Sequence, residues 1–250
     1  MKALVLSSGG LDSSVCAAYA VKKYGAENVV TASLYYGQRH SKELNCAKAI
    51  AKYYKVKHIE QDISEAMSYA ASVSSLMEGS SVKMNDKTYA EQIAEDGSPT
   101  TEVPLRNGVF LVLAGSLAMS LFPKEEVAVI YGAHSDDSAG NAYPDCSVEF
   151  ANTADKLIQI GSRGLVSLER PLINMNKAQV VKLGLDLHVP FDKTTSCYKG
   201  RERACACCGT CRDRAEAFRL NKVIDPIPYA VEVDWTGCEK IDYLRSCYHV

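Results

Sequence analysis

The residues with the clearest chemical meaning form a glycine–serine loop near the start of the chain. The loop consists of Ser8, Gly9, Gly10, Leu11, Asp12, Ser13 and Ser14. It follows an apolar run and precedes a helical pattern, so its backbone N–H groups and the helix dipole can bind a phosphate. Asp12 would repel the phosphate itself, and we interpret it as a ligand for a Mg²⁺ ion on that phosphate. A purely structural glycine turn with serine caps is the alternative.

A second chemical signal is a cysteine cluster near residue 200. The chain has ten cysteines, and four have metal-site spacing: Cys197, Cys205, Cys208 and Cys211. Pairs with two intervening residues can turn around one ion, and four thiolates close a tetrahedral structural Zn²⁺ site. Cys207 is left over. An iron–sulfur cluster is the competing metal assignment, and a redox-active pair is less favoured.

Short apolar strands alternate with amphipathic helices and must position these groups. The sequence predicts strands over residues 3–6, 29–36, 57–59 and 127–131. It predicts helices over residues 13–23, 43–54 and 107–121, with a later one opening at 176–184. Asn107 is the expected N-terminal cap of the third helix. The alternation indicates an α/β fold with a doubly wound, mostly parallel sheet and helices on both faces.

Two segments interrupt the alternation. Residues 71–100 are polar and weakly periodic, which indicates either a functional loop or a disordered insertion. In the second segment, residues 191–209, Lys, Arg, Gly and Cys dominate the composition. We therefore expect an α/β domain over residues 1–190, a zinc knuckle with a helix over 191–228, and a tail over 229–250. The tail is interpreted as a packed terminal segment, with dimerisation or a specialised partner as alternatives; it contains Trp235, Cys238 and Cys247.

The overall composition limits the kinds of molecule with which the protein is expected to associate. The chain has 250 residues and a formal net charge of −2, which does not provide the basic surface of a nucleic-acid-binding protein. Its apolar runs are shorter than the about 20 residues of a membrane span. The N-terminus lacks a signal-peptide pattern, so the expected location is the cytoplasm. A homodimer is the expected oligomeric state because symmetric dimers are the commonest assemblies.

Further sequence motifs indicate which protein family the chain resembles. They are YGQRH at residues 36–40, VPLRN at 103–107, GAHSDD at 132–137, YPDC at 143–146, the helix start at 176–184 and SCY at 196–198. The glycine–serine loop resembles that of the ATP pyrophosphatase family, and the whole set resembles the 7-cyano-7-deazaguanine synthases within it. The resemblance covers about residues 2–228. Leu105 and Cys207 depart from the pattern, because members of the family often have glycine at the first position and a residue other than cysteine at the second.

The resemblance implies a two-stage reaction on one substrate. ATP first converts 7-carboxy-7-deazaguanine to an acyl adenylate, and ammonia then gives the amide; a second adenylation and loss of AMP give the nitrile. Free ammonia is the expected nitrogen source. On this basis the loop at 8–14 binds the pyrophosphate end of ATP. The further assignments are Asp12 for Mg²⁺, Arg39 and Arg106 as a clamp for carboxylate or phosphate, Lys177 or Lys193 for phosphate charge, and Gln38, Arg39, Tyr143 and Asp145 for the substrate.

For the charged and polar residues outside the loop, ordinary surface ion pairs are the structural alternative. His40 is expected to orient the substrate, whereas His58, His134 and His188 are interpreted as ordinary histidines. Three other functions remain open. A specialised relative would stop at the amide or transfer the activated deazaguanine to another amine. A tRNA-thiolating enzyme would need a free nucleophilic cysteine and a basic surface, and a non-catalytic module would bind nucleotide without forming AMP.

Overall fold

A five-stranded parallel sheet forms the centre of the molecule. The computed structural model describes residues 1–40, 42–85 and 87–241, so Cys247 lies outside the described residues. The strands lie in the order β3-β2-β1-β4-β5. They are β1 (Lys2–Leu6), β2 (Val29–Tyr35), β3 (Lys57–Asp62), β4 (Val127–Ile130) and β5 (Val166–Glu169). Leu4 pairs with Val30 on one side and with Val129 on the other. The predicted α/β class with a parallel sheet is confirmed.

Nine α-helices lie in the described part of the chain. They are α1 (Leu11–Tyr24), α2 (Lys42–Tyr53), α3 (Ser64–Met67), α4 (Tyr89–Asp96), α5 (Arg106–Leu121), α6 (Ser135–Ser138), α7 (Val148–Gly161), α8 (Lys177–Asp186) and α9 (Gly209–Leu220). A reciprocal cap between Asn176 and Gln179 starts α8, as its sequence suggests. None of these helices has the length and apolar character needed to cross a bilayer.

The two faces of the sheet are buried in separate apolar layers. In β1, Ala3 and Val5 pack into the layer that contains α1, α2, α8 and α9. Leu4 points the opposite way and packs with α5 and α7. Successive side chains of a strand point to opposite faces of the sheet. Because both faces are buried, the strand sequences are continuous apolar runs. Both faces of the sheet are covered. The polar groups that follow the strands therefore lie together at the carboxyl-terminal ends of the strands.

The start of α5 differs from the sequence prediction. Asn107 does not cap this helix, because the helix already begins at Arg106. The residue before it, Leu105, has the left-handed backbone conformation and gives no side-chain cap. The Asp145 carboxylate instead accepts the backbone N–H of Asn107 at 2.9 Å. A carboxylate distant in sequence therefore supplies the acceptor that local spacing had assigned to asparagine.

The segment over residues 71–100 is packed where the structure describes it. Ser74, Ser75 and Met77 are buried, and the Ser75 N–H donates to the Thr100 carbonyl at 2.7 Å. Buried Gln92 of α4 accepts the Thr100 N–H at 3.0 Å and donates to the Lys87 carbonyl. These buried bonds argue against a disordered insertion, and the segment contacts the chain just after β2 through a bridge between Gln38 and Met77.

Residues beyond 190 pack onto the main sheet layer. Phe191 and Phe218 are buried in the layer that also holds Val5, and their rings meet edge to face at 5.1 Å. Trp235 packs against the cysteine region and against this layer. In the described part of the tail, Val233, Trp235 and Ile241 pack against these layers, whereas most of the other residues are exposed. The division at residues 190 and 228 stays a prediction.

Candidate active site

A cavity opens at the carboxyl ends of the strands, where the strand order changes direction between β1 and β4. Its volume is about 280 Å³. Crevices of this kind form where neighbouring strands send their connections to opposite faces of a parallel sheet. The loop after β1 forms one wall, the residues after β2 and the start of α5 form the second, and residues 195–200 form the third.

Hydrogen bonds within the glycine–serine loop fix its shape. The Ser8 N–H donates to the Ser13 hydroxyl at 3.2 Å, and the Gly10 N–H donates to the Ser8 hydroxyl at 3.2 Å. The fully buried Ser14 hydroxyl donates to the Gly10 carbonyl at 2.7 Å and does not reach the cavity. Ser8, Gly10, Leu11, Asp12 and Ser13 line the cavity. The first turn of α1 therefore faces the space in which an anion would bind.

Gly9 contributes to this loop by allowing a close approach rather than by lining the cavity. Its φ is +78°, and a Cβ there would lie 2.1 Å from the Glu43 carbonyl oxygen and 2.6 Å from the Ala47 nitrogen. Those atoms belong to the backbone of α2 and cannot rotate away. Glycine at position 9 therefore brings α2 against the phosphate loop.

Four charged or titratable side chains meet beside this loop. Lys177 donates from Nζ to both Asp12 carboxylate oxygens, at 2.8 Å each, and lies 2.9 Å from His134 Nε2. His134 Nε2 is 3.3 Å from an Asp137 carboxylate oxygen. Residue 12 follows β1, residues 134 and 137 follow β4, and residue 177 begins α8. The cluster thus joins three parts of the chain at the switch point of the sheet.

The cluster changes the protonation behaviour of its members. Burial opposes ionisation of Asp12, but the Lys177 ammonium and His134 outweigh it and hold the pKa of Asp12 below its usual value. Burial also disfavours the Lys177 ammonium, yet Asp12 and Asp137 raise its pKa. For Asp137, burial dominates and raises the pKa despite His134 and Lys177. Lys177 thus stays charged as the central cation of the cluster.

The second wall combines one guanidinium with aromatic rings. Arg106 donates to the Tyr36 hydroxyl at 3.2 Å, and its guanidinium carbon lies 5.5 Å from the centre of the Tyr36 ring. Tyr198 from the third wall lies close enough to interact with Arg106 electrostatically. The Tyr143 hydroxyl is 2.6 Å from the Thr101 hydroxyl and faces the same space. This wall can hold a flat ring bearing an anionic group.

The remaining predicted substrate residues have other partners. Gln38 lines the cavity, and its side-chain oxygen accepts the Tyr36 N–H at 2.9 Å. Arg39 also lines it, but its guanidinium donates to the carbonyls of Met77, Ser80 and Val82, at 3.1, 2.7 and 3.5 Å. Asp145 lies outside the cavity lining and holds the first turn of α5, as described above. Lys193 pairs with neighbouring Asp192 and does not line this cavity.

The cysteines chosen from spacing lie together. The sulfur atoms of Cys197, Cys205, Cys208 and Cys211 are within 4.8 Å of one another, and all four side chains are buried. The backbone N–H groups of Cys205 and Cys208 donate to sulfur atoms of the cluster, at 3.4 and 3.3 Å. Such a buried sulfur group can hold a metal ion. Cys207 is exposed outside the cluster, with its sulfur 3.2 Å from Lys199 Nζ.

The cysteine cluster is tied to the cavity by its own residues and by Arg214 of α9. Cys197 lines the cavity, and the Thr210 hydroxyl donates to the Ser196 carbonyl at 2.7 Å. Arg214 is fully buried, binds both oxygens of buried Asp225 at 2.6 and 2.9 Å, and donates to the Thr194 hydroxyl at 2.8 Å. The third wall is therefore fixed from behind by thiols and by one ion pair.

The family model described as "Queuosine biosynthesis protein QueC" matches residues 2–222, most of the chain. The chain belongs to the QueC family. The 7-cyano-7-deazaguanine synthase of Caldicellulosiruptor saccharolyticus is 42% identical over 235 residues, which cover 94% of this chain and 98% of that protein. The synthase of the same name from Archaeoglobus fulgidus is 37% identical over 245 residues, or 96% and 95% of the two chains. The family resemblance inferred from the motifs is confirmed.

Sequence reasoning missed three residues in or beside the cavity of this QueC-family chain. His134 was interpreted as ordinary, yet it is buried in contact with Lys177. Asp137 and Glu43 received no assignment, although both line the cavity. The GAHSDD motif after β4 was a signal for the first two, since polar residues at carboxyl ends of parallel strands converge. Nothing in the spacing around Glu43 distinguishes it from an exposed helical glutamate.

Proposed function

We propose that this chain catalyses the ATP-dependent conversion of 7-carboxy-7-deazaguanine and ammonia to 7-cyano-7-deazaguanine. In this scheme ATP forms an acyl adenylate with release of pyrophosphate, and ammonia displaces AMP to give the amide. A second ATP adenylates the amide oxygen, and loss of AMP leaves the nitrile. Both stages replace a poor leaving group on one carbon by AMP, so a single site can perform them. Family membership supports the overall conversion.

The observation that carries the proposal is the pairing of two unlike walls in one cavity. A helix N-terminus with glycine and serine donors faces Arg106 and the aromatic rings of Tyr36 and Tyr198. The first wall suits the phosphates of a nucleotide, and the second suits a flat heterocycle with a carboxylate. A carboxylate bound to Arg106 would then point its free oxygen toward the α-phosphate, which is the alignment that adenylation requires.

On the nucleotide side, Ser8, Gly10 and Ser13 bind the outgoing pyrophosphate through backbone N–H and hydroxyl groups. Lys177 neutralises the negative charge that develops on the phosphates. Gly9 and Ser14 act indirectly, since the first packs on α2 and the second on the Gly10 carbonyl. Ser8, Gly10, Ser13 and Lys177 all line the cavity.

The oxygen donors of the cluster fit Mg²⁺, which prefers carboxylate ligands and phosphate oxygens. Asp12 and Asp137 would hold the ion. Each Asp12 oxygen has a second lone pair besides the one given to Lys177, so that contact does not exhaust its capacity as a ligand. When bound, Mg²⁺ would supply neutralisation of the phosphates.

On the substrate side, Arg106 binds the carboxylate, and the rings of Tyr36 and Tyr198 pack against the heterocycle. Gln38 and Tyr143 approach its edge. Arg39 is assigned a positioning role, because its guanidinium holds the carbonyls of residues 77–82. Asp145 is likewise a positioning residue for α5.

We assign Zn²⁺ to the four-cysteine cluster as a structural ion. A zinc–sulfur bond of about 2.3 Å gives sulfur–sulfur distances of about 3.8 Å in a tetrahedron. Cys205 and Cys211 have a sulfur–sulfur distance of 3.9 Å, and the whole set spans no more than 4.8 Å. A single ion suits this spacing better than an iron–sulfur cluster, in which the four thiolates are divided among two or more iron atoms. Metal analysis of the purified protein tests this assignment.

The decisive experiment is mass spectrometry of a reaction with protein, Mg-ATP, ¹⁵N-labelled ammonium and 7-carboxy-7-deazaguanine. The expected product is the ¹⁵N nitrile, with about two AMP formed for each nitrile because each stage consumes one ATP. An amide end product would favour the specialised relative. No carboxylate-dependent AMP from metal-loaded protein would reject the assignment. The expected homodimer is checked separately by light scattering.

A further inference from the structure

Glu43 lies in the first turn of α2 and contributes to the cavity wall. Its side chain is half-buried. In the described part of the chain, its carboxylate makes no hydrogen bond and no ion pair. Arg106 interacts with this carboxylate electrostatically without forming an ion pair, and its guanidinium donates to the Tyr36 hydroxyl. An unpaired carboxylate on a cavity wall is available to a ligand that enters the cavity.

The position of Glu43 is as informative as its lack of partners. Its backbone carbonyl lies against Gly9 of the phosphate loop, as the glycine geometry requires. Its carboxylate interacts electrostatically with Arg106 of α5 and Tyr36 after β2 on the opposite wall. Glu43 therefore spans the junction between the nucleotide side and the heterocycle side. The carbon that receives AMP and ammonia in the proposed reaction must lie at this junction.

The other acidic groups that line the described cavity already have partners within the protein. Both Asp12 oxygens accept from Lys177, and Asp137 lies against His134. These groups belong to the phosphate side. The proposed reaction must also remove protons from nitrogen, because ammonia arrives with three hydrogens and the nitrile keeps none. A proton acceptor is required near the heterocycle.

We propose that Glu43 is the catalytic base that accepts the nitrogen protons in both stages of this reaction. The inference rests on the proposed function and adds a residue to it. In the first stage, the nitrogen lone pair forms the C–N bond. Glu43 then takes one N–H proton while the C–O bond to AMP breaks and AMP leaves with the electron pair.

In the second stage, the adenylated amide carries two N–H protons. Glu43 takes the first and gives the neutral imidate, then passes that proton to water in the open cavity. It takes the second as the C–O bond to AMP breaks and the nitrogen electron pair forms the third C–N bond. Each step conserves atoms and charge, and the only reactants are ATP, ammonia and the carboxylate.

The protonation properties of Glu43 suit this task. Burial raises its pKa to about 7, although the Arg106 guanidinium acts in the opposite direction. Tyr36 and, one turn along α2, Cys46 are the other titratable groups in electrostatic contact with it. A base with a pKa near the working pH combines a large deprotonated fraction with useful basicity.

The test is the Glu43→Gln variant, which keeps size and removes basicity. We expect the rate of amide formation to fall about 100-fold or more, as for other general bases. Adenylation requires no nitrogen base, so without ammonia both the wild type and the variant should give a single-turnover burst of pyrophosphate. Glu43→Asp should recover part of the rate. Glu149→Gln is the matched control, because Glu149 is an exposed glutamate in the first turn of α7.

The pH profile separates a base from a structural residue. Glu43 works when deprotonated, so the wild-type rate should fall as pH drops through about 7. Glu43→Gln should lack this limb, so the ratio of the two rates should approach one near pH 5. Ammonia ionises identically in both reactions and cancels from the ratio. A loss under threefold, a ratio independent of pH, or loss of the pyrophosphate burst would overturn the proposal. Failure of the wild type to form amide would reject the proposed function instead.

Discussion

The first and third walls of the cavity are built in opposite ways. The phosphate loop is held by hydrogen bonds between residues close in sequence and by its direct attachment to β1 and α1. The wall over residues 195–200 has no strand behind it. It is held by four thiols, by the Arg214–Asp225 pair and by single hydrogen bonds such as that of Thr210. One wall is thus part of the sheet, and the other depends on a small set of long-range contacts.

Changes in the two walls should therefore affect the protein in different ways. A perturbation of the first wall must disturb the main fold or the approach of α2. A perturbation of the third wall can leave the sheet and its nucleotide side intact while removing Tyr198 and Cys197 from the cavity. ATP binding and substrate turnover should therefore respond differently to changes on the two sides.

Removing the metal from the cysteine cluster should have the largest effect. A structural zinc contributes about 10 kcal/mol or more to the folding of its ligand segment. Chelation or Cys208→Ser should therefore bring AMP formation to background, whereas ATP binding should weaken only a few fold because its loop lies in the sheet. Metal content, calorimetric ATP binding and AMP release measure the outcome.

Cys207→Ser is the control for this change, since Cys207 is exposed outside the cluster. It should keep both metal and activity. Full activity of metal-free Cys208→Ser would contradict the dependence of the third wall on the cluster.

Breaking the buried ion pair should rank second. Arg214→Met leaves Asp225 charged and buried, which costs about 3–5 kcal/mol of unfolding free energy. The double variant with Asp225→Leu should be less destabilised than Arg214→Met, because no charge is left without a partner. Arg219→Met removes an exposed pair with Glu216 on the same helix and should cost less than about 1 kcal/mol. Denaturant unfolding compares the three, and equal losses for Arg214 and Arg219 would disprove the special role of the buried pair.

On the first wall, Gly9→Ala should cost about 2–3 kcal/mol, since it combines a positive φ with overpacking against the backbone of α2. The loop would separate from α2, so the KM for ATP should rise. Steady-state kinetics and thermal unfolding measure these effects. An unchanged KM for ATP would show that the approach of α2 does not shape the phosphate site.

Gly200→Ala provides the matched change on the third wall and should have the smallest effect. Its φ is +58°, and a Cβ would approach the His40 ring to 1.9 Å. That obstacle is a side chain able to rotate, so the expected cost is about 1 kcal/mol, mainly from the backbone conformation. The KM for the carboxylate should rise and that for ATP should not. A loss as large as for Gly9→Ala would remove the proposed contrast between the walls.

The sequence predicted the parts of the site that depend on local spacing. The loop at 8–14 and the four cysteines were found because their members lie within a few turns of one another along the chain. The parallel fold followed from the alternation of apolar strands with helical periods, which burial on both sheet faces produces. In each case the physical constraint acts over a short range.

The parts that were missed or misassigned depend on which loops meet. His134 lies beside Asp12 because β1 and β4 are neighbours in the sheet, and Lys177 reaches both from the start of α8, which packs against α1. Arg39 lines the cavity, and its substrate role stays a prediction; its bonds to the carbonyls of residues 77–82 had no signal in the sequence. Asn107 was expected to cap α5, and Asp145 provides the carboxylate instead. No local pattern encodes these encounters.

The tether of Arg39 has a consequence for mutational tolerance. Its acceptors are backbone carbonyls at Met77, Ser80 and Val82, and every amino acid carries such a carbonyl. Ser80 and Val82 can therefore be substituted without loss of these hydrogen bonds, whereas a substitution of Arg39 removes all three. Main-chain bonds such as that from the Glu78 N–H to the Gly37 carbonyl also hold this loop, so the Arg39 side chain reinforces a backbone attachment. Substitutions at exposed positions of the loop should thus leave its attachment intact.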